Sequence, residues 1–134
     1  MKNVAVVLFF SMICCFGVLA QGEQPKNGAV IRLDETAYEF GDIIQGEKVS
    51  HIFTFTNSGN QPLILSDVVT TCGCTAPSWS REPILPGQSG EIQITFNSDN
   101  KMGRQNKGIT ILSNAINSPA RVTISCNILP KSSN

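Results

Sequence analysis

Two cysteines separated by a single residue are the most chemically distinctive feature of this sequence. Cys72, Gly73 and Cys74 follow an apolar run and precede Thr75. Glycine permits backbone conformations that are closed to other residues, so the two sulfurs can approach one another. Three outcomes are then open: a small, readily reduced disulfide ring, a two-thiolate site for Cu(I), or a bond from one cysteine to Cys126 or to another chain.

Cys126 and His51 are the other residues beyond position 20 with reactive or metal-binding side chains of this kind. Cys126 is in phase with Val122 and Ile124 of a predicted strand, so we expect a buried thiol that behaves as a small apolar residue. His51 is in phase with the neighbouring Phe53. We expect it to be half-buried and hydrogen-bonded rather than a ligand or a base.

Trp79 and Arg81 form a candidate binding surface in the predicted loop after the cysteine pair. Tryptophan and arginine dominate binding hot spots, but an amphipathic indole is equally suited to closing one end of a hydrophobic core. Lys101, Arg104 and Lys107 lie in a predicted polar connection, 98–107. Three charges are too few for a strong field, so we interpret that segment as a solvated loop.

Common catalytic and metal-binding patterns are missing from the sequence. It contains no Gly-x-Ser-x-Gly elbow, no phosphate-binding glycine-rich loop and no His-Glu-x-x-His motif. The carboxylates are scattered over predicted loops and outer faces, so no pair is placed for acid–base catalysis. We therefore expect no enzyme, no catalytic residue, no cofactor and no metal, apart from the Cu(I) alternative at Cys72 and Cys74.

Length and composition favour one small globular domain. The chain has 134 residues, of which 41% are hydrophobic, and its ten cationic side chains balance ten acidic ones. This length suits a single domain, and the hydrophobic content is too high for a disordered chain. A neutral chain with 15% charged residues has no broad surface for nucleic acid or acidic lipid, so we expect neither as a partner.

The first twenty residues have the pattern of a secretory signal peptide. Lys2 precedes an apolar stretch that ends at Ala20, and the small residues near that end fit cleavage before Gln21. We expect an exported protein, periplasmic or extracellular, in which residues 21–29 form a flexible lead-in. Cys14 and Cys15 lack the small preceding residue of a lipoprotein signal, so a lipid-anchored or uncleaved form is the minority alternative. Cleavage leaves Cys72, Cys74 and Cys126 as the cysteines of the mature chain.

Beyond this leader, the sequence predicts β-strands throughout. Short alternating runs are separated by Gly, Pro, Asn and Asp, and no segment carries a helical apolar stripe. The predicted strands are 30–33, 37–40, 48–56, 62–70, 91–97, 108–113 and 120–129, with a turn at Gly41-Asp42. About seven short strands favour an all-β, immunoglobulin-like sandwich over residues 30–129, followed by a tail, 130–134.

Several segments of this region resemble the DUF1573 family. They are the runs 38–43, 53–59, 72–75, 85–87 and 92–96, and together the resemblance covers roughly residues 36–128. The family comprises exported proteins, common in Bacteroidetes, whose function is uncharacterised. The same layout is similar to MSP and ASH-type immunoglobulin-like domains, which are binding modules rather than enzymes. The resemblance therefore implies a sandwich and adds no catalytic residue.

Two functions follow as expectations. The first is an exported, non-catalytic sandwich that binds an unidentified protein or envelope component through a loop surface or an exposed strand edge. Trp79, Arg81 and the end of the fold around Cys72–Pro77 are its candidate surface. The alternative is a thiol redox or Cu(I)-handling protein that uses Cys72 and Cys74.

Overall fold

The computed structural model describes residues 27–132, and these residues form eight β-strands in two sheets. The predicted signal peptide, residues 21–26 of the lead-in and the last two residues of the tail lie outside the described residues. Within residues 27–132, no helix is long and apolar enough to span a membrane. The strands are β1 (Ile31–Leu33), β2 (Ala37–Ile44), β3 (Lys48–Asn57), β4 (Leu65–Thr70), β5 (Thr75–Trp79), β6 (Ser89–Asn97), β7 (Gly103–Ser113) and β8 (Ala120–Leu129).

Each sheet has four strands, and together they form the predicted immunoglobulin-like sandwich. The first sheet has the order β1-β3-β6-β5 and is antiparallel throughout. The second has the order β2-β8-β7-β4, in which β2 pairs with β8 in parallel. The chain crosses between the sheets five times, and two of these crossings join edge strands, β1 to β2 and β4 to β5. We call these two sides of the sandwich the β1/β2 side and the β4/β5 side.

The core lies between the sheets and follows the alternation of the sequence. Side chains of a strand point to opposite faces in turn, so every second residue is buried. Phe53 and Phe55 of β3 belong to the same buried cluster as Ile124 and Ile128 of β8, and all four are at most 2% exposed. The alternation predicted for β3 and β8 is thus confirmed.

The strand count is eight rather than about seven because residues 75–79 form a strand, not a loop. The sequence predicts a loop after the cysteine pair, and this segment contains Pro77, which cannot donate a ladder hydrogen bond. β5 accommodates Pro77 because it is an edge strand with a partner on one side only. Trp79, predicted in that loop, is therefore the last residue of a strand, opposite Ile92.

Two other predicted boundaries were wrong. The 98–107 connection ends early, because β7 begins at Gly103 and pairs with β8 along its whole first half. Its polar residues beyond Gly103 lie in the part of β7 that β4 does not cover, where side chains are exposed or half-buried. The predicted turn at Gly41-Asp42 is instead an irregularity inside β2, where Gly41 has a φ of 78° and the register shifts between Glu39 and Asp42. A positive φ at such a point is favourable only for glycine.

Asn57 is a fully buried polar residue whose side chain joins three segments at one end of the sandwich. Its side-chain oxygen accepts hydrogen bonds from the N–H groups of Gly59 at 3.0 Å and Val30 at 3.3 Å. Its amide nitrogen donates to the carbonyls of Gln61 at 2.7 Å and Ile84 at 2.9 Å. All four side-chain hydrogen-bonding positions are used, so burial costs little.

Asn57→Ala is expected to lower the free energy of unfolding by about 2–4 kcal/mol, because it leaves buried N–H and C=O groups without partners. Asn60→Ala is the matched control, since Asn60 lies in the same turn but is exposed and bonds the Gly28 N–H at the surface. It should cost about 0.5 kcal/mol. Urea denaturation measures the free energy of unfolding of both variants. Equal losses would contradict the structural role assigned to the buried Asn57 side chain.

Candidate functional site

The cysteine pair lies in the turn that carries the chain from β4 to β5. Cys72 and Cys74 are joined by a disulfide, with their Cα atoms 5.2 Å apart. The carbonyl of Cys72 accepts hydrogen bonds from the Thr70 hydroxyl at 3.2 Å and the Thr75 N–H at 3.1 Å. The turn is therefore held by backbone and side-chain contacts as well as by the disulfide.

Of the three outcomes considered for the pair, the structure contains the closed ring. Both cysteines are half-buried, and Cys74 packs on the edge of the core. Gly73 does not have a positive φ, and a Cβ placed there would meet no atom within 4 Å. The expected steric need for glycine between the cysteines is therefore not found. Among residues 27–132, no three His, Cys, Asp or Glu side chains form a group that could hold a metal ion.

Cys126 is buried and unpaired, as predicted. It is 2% exposed and lies on the inner face of β8. Burial raises the pKa of its thiol, and the negative charge of Glu39 acts in the same direction. A thiol with a raised pKa forms little thiolate near neutral pH and is a poor nucleophile.

Trp79 is directed inward rather than outward. It pairs with the buried Ile92, is half-buried itself and packs against the core. The indole Nε1 is buried without a hydrogen-bond partner. The geometry thus matches the interpretation of Trp79 as a cap on the core, with the side chain only partly accessible to a partner.

Arg81 connects the two sheets on the β4/β5 side. Its guanidinium lies 5.2 Å from the centre of the Trp79 ring, within the range of a cation–π interaction. It also donates a hydrogen bond of 3.1 Å to the carbonyl of Ser66 on β4. Trp79, Arg81 and the disulfide turn therefore lie on the same side of the sandwich but not at one end of it, because the turn precedes β5 whereas Trp79 and Arg81 lie at the far end of that strand.

A shallow, open cleft beside Trp79 was not identified from the sequence. It lies on the outer face of the first sheet and is lined by Ile52, Ser78, Trp79, Ser80, Glu91 and Gln93. Gln93 lies between Ile52 and Ser78 in the strand register. The outward direction of Glu91 and Gln93 could be predicted from alternation, but their alignment with Ser78 depends on the unpredicted strand β5.

His51 is half-buried and hydrogen-bonded, as expected. Its ring stacks on Tyr38 with centroids 3.6 Å apart, and lies edge-on to Phe53 at 4.8 Å. Its Nε2 contacts the carboxylate of Glu35. These contacts join β3 to β2 across the β1/β2 side, which is a structural role.

The predicted basic loop is an ordered part of the second sheet. Arg104 on β7 reaches across β8 to Glu39 on β2, and donates to Oε1 at 2.7 Å. This hydrogen bond, helped by the Gly41 N–H, lowers the pKa of Glu39 below its ordinary value. Lys101 and Lys107 are half-buried, so the three residues do not form one exposed basic patch.

Residues 31–128 match the sequence model of DUF1573, a family described as proteins of unknown function. The chain belongs to the DUF1573 family. No curated protein matches it in sequence.

Solved structures with this fold come from distant proteins. A protein of unknown function from Porphyromonas gingivalis is 21% identical with a TM-score of 0.66, and the match covers 78% of this chain and 49% of that one. The present chain thus spans about half of its length. The ASH/PapD-like domain 7 of human CEP192 is 10% identical with a TM-score of 0.65, covering 84% of this chain and 93% of that one. The secreted serine protease VesC of Vibrio cholerae is 17% identical with a TM-score of 0.55, covering 81% and 24%.

These likenesses place the DUF1573 chain among PapD-like, immunoglobulin-like β modules and say nothing more specific. Identities this low establish a shared fold, and a fold by itself does not determine function.

The three described cysteines should differ sharply in reactivity. Native protein treated with iodoacetamide is expected to give no adduct, and mild reduction should then expose Cys72 and Cys74 only. Cys126 should react only after denaturation, because burial blocks access and raises its thiol pKa. Peptide mass spectrometry measures the adducts, with Cys72→Ser/Cys74→Ser as the control. Rapid native labelling of Cys126 would contradict this assignment.

The pKa of Glu39 should rise toward its ordinary value in Arg104→Gln, because the hydrogen bond that favours the carboxylate is lost. The contribution of the pair to stability is present above the unfolded-state pKa and is lost as pH falls through the lowered folded-state pKa. Both side chains are exposed, so global acid unfolding should change little. Carboxyl NMR titration measures the shift. Arg121→Gln is the control, and an unchanged Glu39 pKa in Arg104→Gln would refute the assignment.

Proposed function

We propose that this chain is a non-catalytic β-sandwich module that binds a protein or cell-envelope partner outside the cytoplasm. The contact surface lies on the β4/β5 side and consists of Cys72–Pro77, the accessible part of Trp79, and Arg81. The observation that carries the proposal is the arrangement of Arg81, which stacks on Trp79 and bonds β4 at the same time.

This arrangement supports binding because it makes the surface rigid before a partner arrives. Arg81 fixes the end of β5 against β4, and the disulfide and its hydrogen bonds fix the turn between those strands. A rigid surface loses little conformational freedom on association, so more of the contact energy appears as affinity. Arginine beside tryptophan is also a common composition of hot spots.

A role as a module is supported by how the fold occurs in other chains. In VesC the matching part is 24% of the chain, so the fold is a component there rather than the whole protein. In CEP192 the matching unit is itself a domain. We infer a component that mediates contacts, and the export signal predicted in the sequence gives its compartment.

The test compares partner capture by the wild-type chain, Arg81→Glu and Arg121→Glu from an envelope extract. Arg121 is an exposed arginine on the outer face of β8, so it is a matched control for charge. We expect a captured protein that is retained by Arg121→Glu and reduced about tenfold by Arg81→Glu. Equal capture by all three forms would overturn the proposed surface.

Trp79→Ala is unsuitable as the main probe, because the ring packs on the core and its removal should also lower stability by about 2 kcal/mol. Thermal unfolding of each variant separates lost binding from lost folding. Arg81→Glu should shift the melting temperature by only about 2 °C.

The second candidate function is a thiol–disulfide couple at Cys72 and Cys74. It is favoured by the location of the disulfide in a half-buried turn, away from the buried Cys126. A partner dithiol would supply two electrons and two protons, giving two thiols here and a disulfide in the partner. Reversible redox titration against a dithiol buffer tests it, and a pair that stays oxidised throughout would remove this candidate.

A further inference from the structure

The free side of β3 presents unpaired backbone groups on the β1/β2 side of the sandwich. β1 pairs with β3 only at residues 55–57. Beyond that point, the N–H of Asp34 donates to the carbonyl of Thr54, and the carbonyl of Val30 accepts from Ser58. Even-numbered residues of β3 therefore direct their backbone groups away from β6. By the same alternation, the N–H and C=O groups of Ser50 and Ile52 point to an edge where no described strand lies.

The edges formed by β5, β2 and β4 are less suited to accept a strand. On β5, alternation directs the backbone of Pro77 outward, and proline has no N–H to offer. On β2, the N–H groups of Gly41 and Ile44 are already bonded by carboxylates of Glu39 and Glu47. β4 is interrupted by a register shift between Leu65 and Asp67. Within residues 27–132, the edge at Ser50 and Ile52 has none of these protections.

Aromatic side chains lie under this edge, between the two sheets. Tyr38 stacks on His51, and Phe40 lies edge-on to Tyr38 with centroids 4.9 Å apart. Tyr38 and Phe40 are half-buried. A strand added beside β3 would place its inward side chains over these rings, so apolar residues are favoured at every second position.

The charges around the edge favour a cationic partner. Asp34 and Glu35 lie at one end of the open segment, and Glu47 lies at the other. Lys48 is the only lysine or arginine in β3. A second copy of this chain would bring the same acidic residues against one another, which disfavours self-pairing.

From this geometry we propose that the β3 edge at Ser50 and Ile52 binds an extended polypeptide segment that alternates apolar and basic residues. The segment adds a fifth strand to the first sheet. The open backbone edge faces the β1/β2 side, whereas Arg81 lies on the β4/β5 side; the Ile52 side chain also lines the cleft beside Trp79. The proposal concerns the backbone edge and does not depend on the function proposed for Trp79 and Arg81.

The probe is a fluorescein-labelled peptide with blocked ends and the sequence Lys-Val-Lys-Val-Lys-Val-Lys, titrated into the purified chain by anisotropy. Ile52→Pro removes the outward N–H and should weaken binding about tenfold or more. Ile52→Ala keeps that N–H and should change binding by only about twofold. Equal affinity for the proline and alanine variants would overturn the proposal.

Charge is tested by Glu35→Gln/Glu47→Gln, which should weaken binding about threefold or more at low salt. Glu82→Gln is the control, since Glu82 is an exposed carboxylate that follows β5 on the other side. A peptide with glutamate in place of lysine should not bind. Equal binding of the two peptides would overturn the stated partner chemistry.

A second measurement does not require any variant to fold. In the unmodified protein, the amides of Ser50 and Ile52 should exchange rapidly with solvent and become protected when the peptide binds. Protection before peptide is added would show that the chain or a second copy already pairs this edge, and would overturn the proposal. So would protection confined to β5 or β7.

Discussion

The saturated hydrogen bonding of Asn57 is the constraint on which one end of the sandwich depends. The side chain binds the start of the described chain, the turn after β3 and the segment before β6. Its backbone adds bonds to Gln88 and from Gly87, at 2.9 and 2.8 Å. These loops lack the regular ladder of backbone hydrogen bonds that joins strands. The buried side-chain amide of Asn57 holds them together instead. Gly59 belongs to the same arrangement, because a Cβ there would overlap the backbone of Gly28 and Val30.

Different interactions hold the two sheets together on the two long sides of the sandwich. On the β4/β5 side, a covalent ring and a cation over an indole hold the edges together. On the β1/β2 side, stacked rings of Tyr38 and His51 bridge the sheets while the backbone of β3 stays open above them. A sandwich must protect its edge strands or use them. The described chain protects β5, β2 and β4 by local means and leaves the exposed part of β3 without any.

The predictable part of the fold is the part governed by alternation. Long strands such as β6 and β8 bury every second residue, so their faces and the burial of Cys126 were predicted correctly. β5 was missed because five residues with a central Pro77 give no such pattern, and β7 was shortened because its first half is polar. The position of Arg81 over Trp79 was not predictable in detail. It depends on how β4 and β5 approach each other, which no local sequence pattern specifies.

The disulfide between Cys72 and Cys74 contributes little to global stability, so its effects are confined to the turn between β4 and β5. A disulfide stabilises mainly by restricting the unfolded chain, and a ring that spans residues 72–74 restricts it by only about 1–2 kcal/mol. The hydrogen bonds from Thr70, Thr75 and Asn97 hold the same turn without it. Opening the ring would therefore leave the core and both sheets in place and alter only the surface between β4 and β5. A change of oxidation state at this position would therefore act locally, on the turn between β4 and β5, rather than on the fold as a whole.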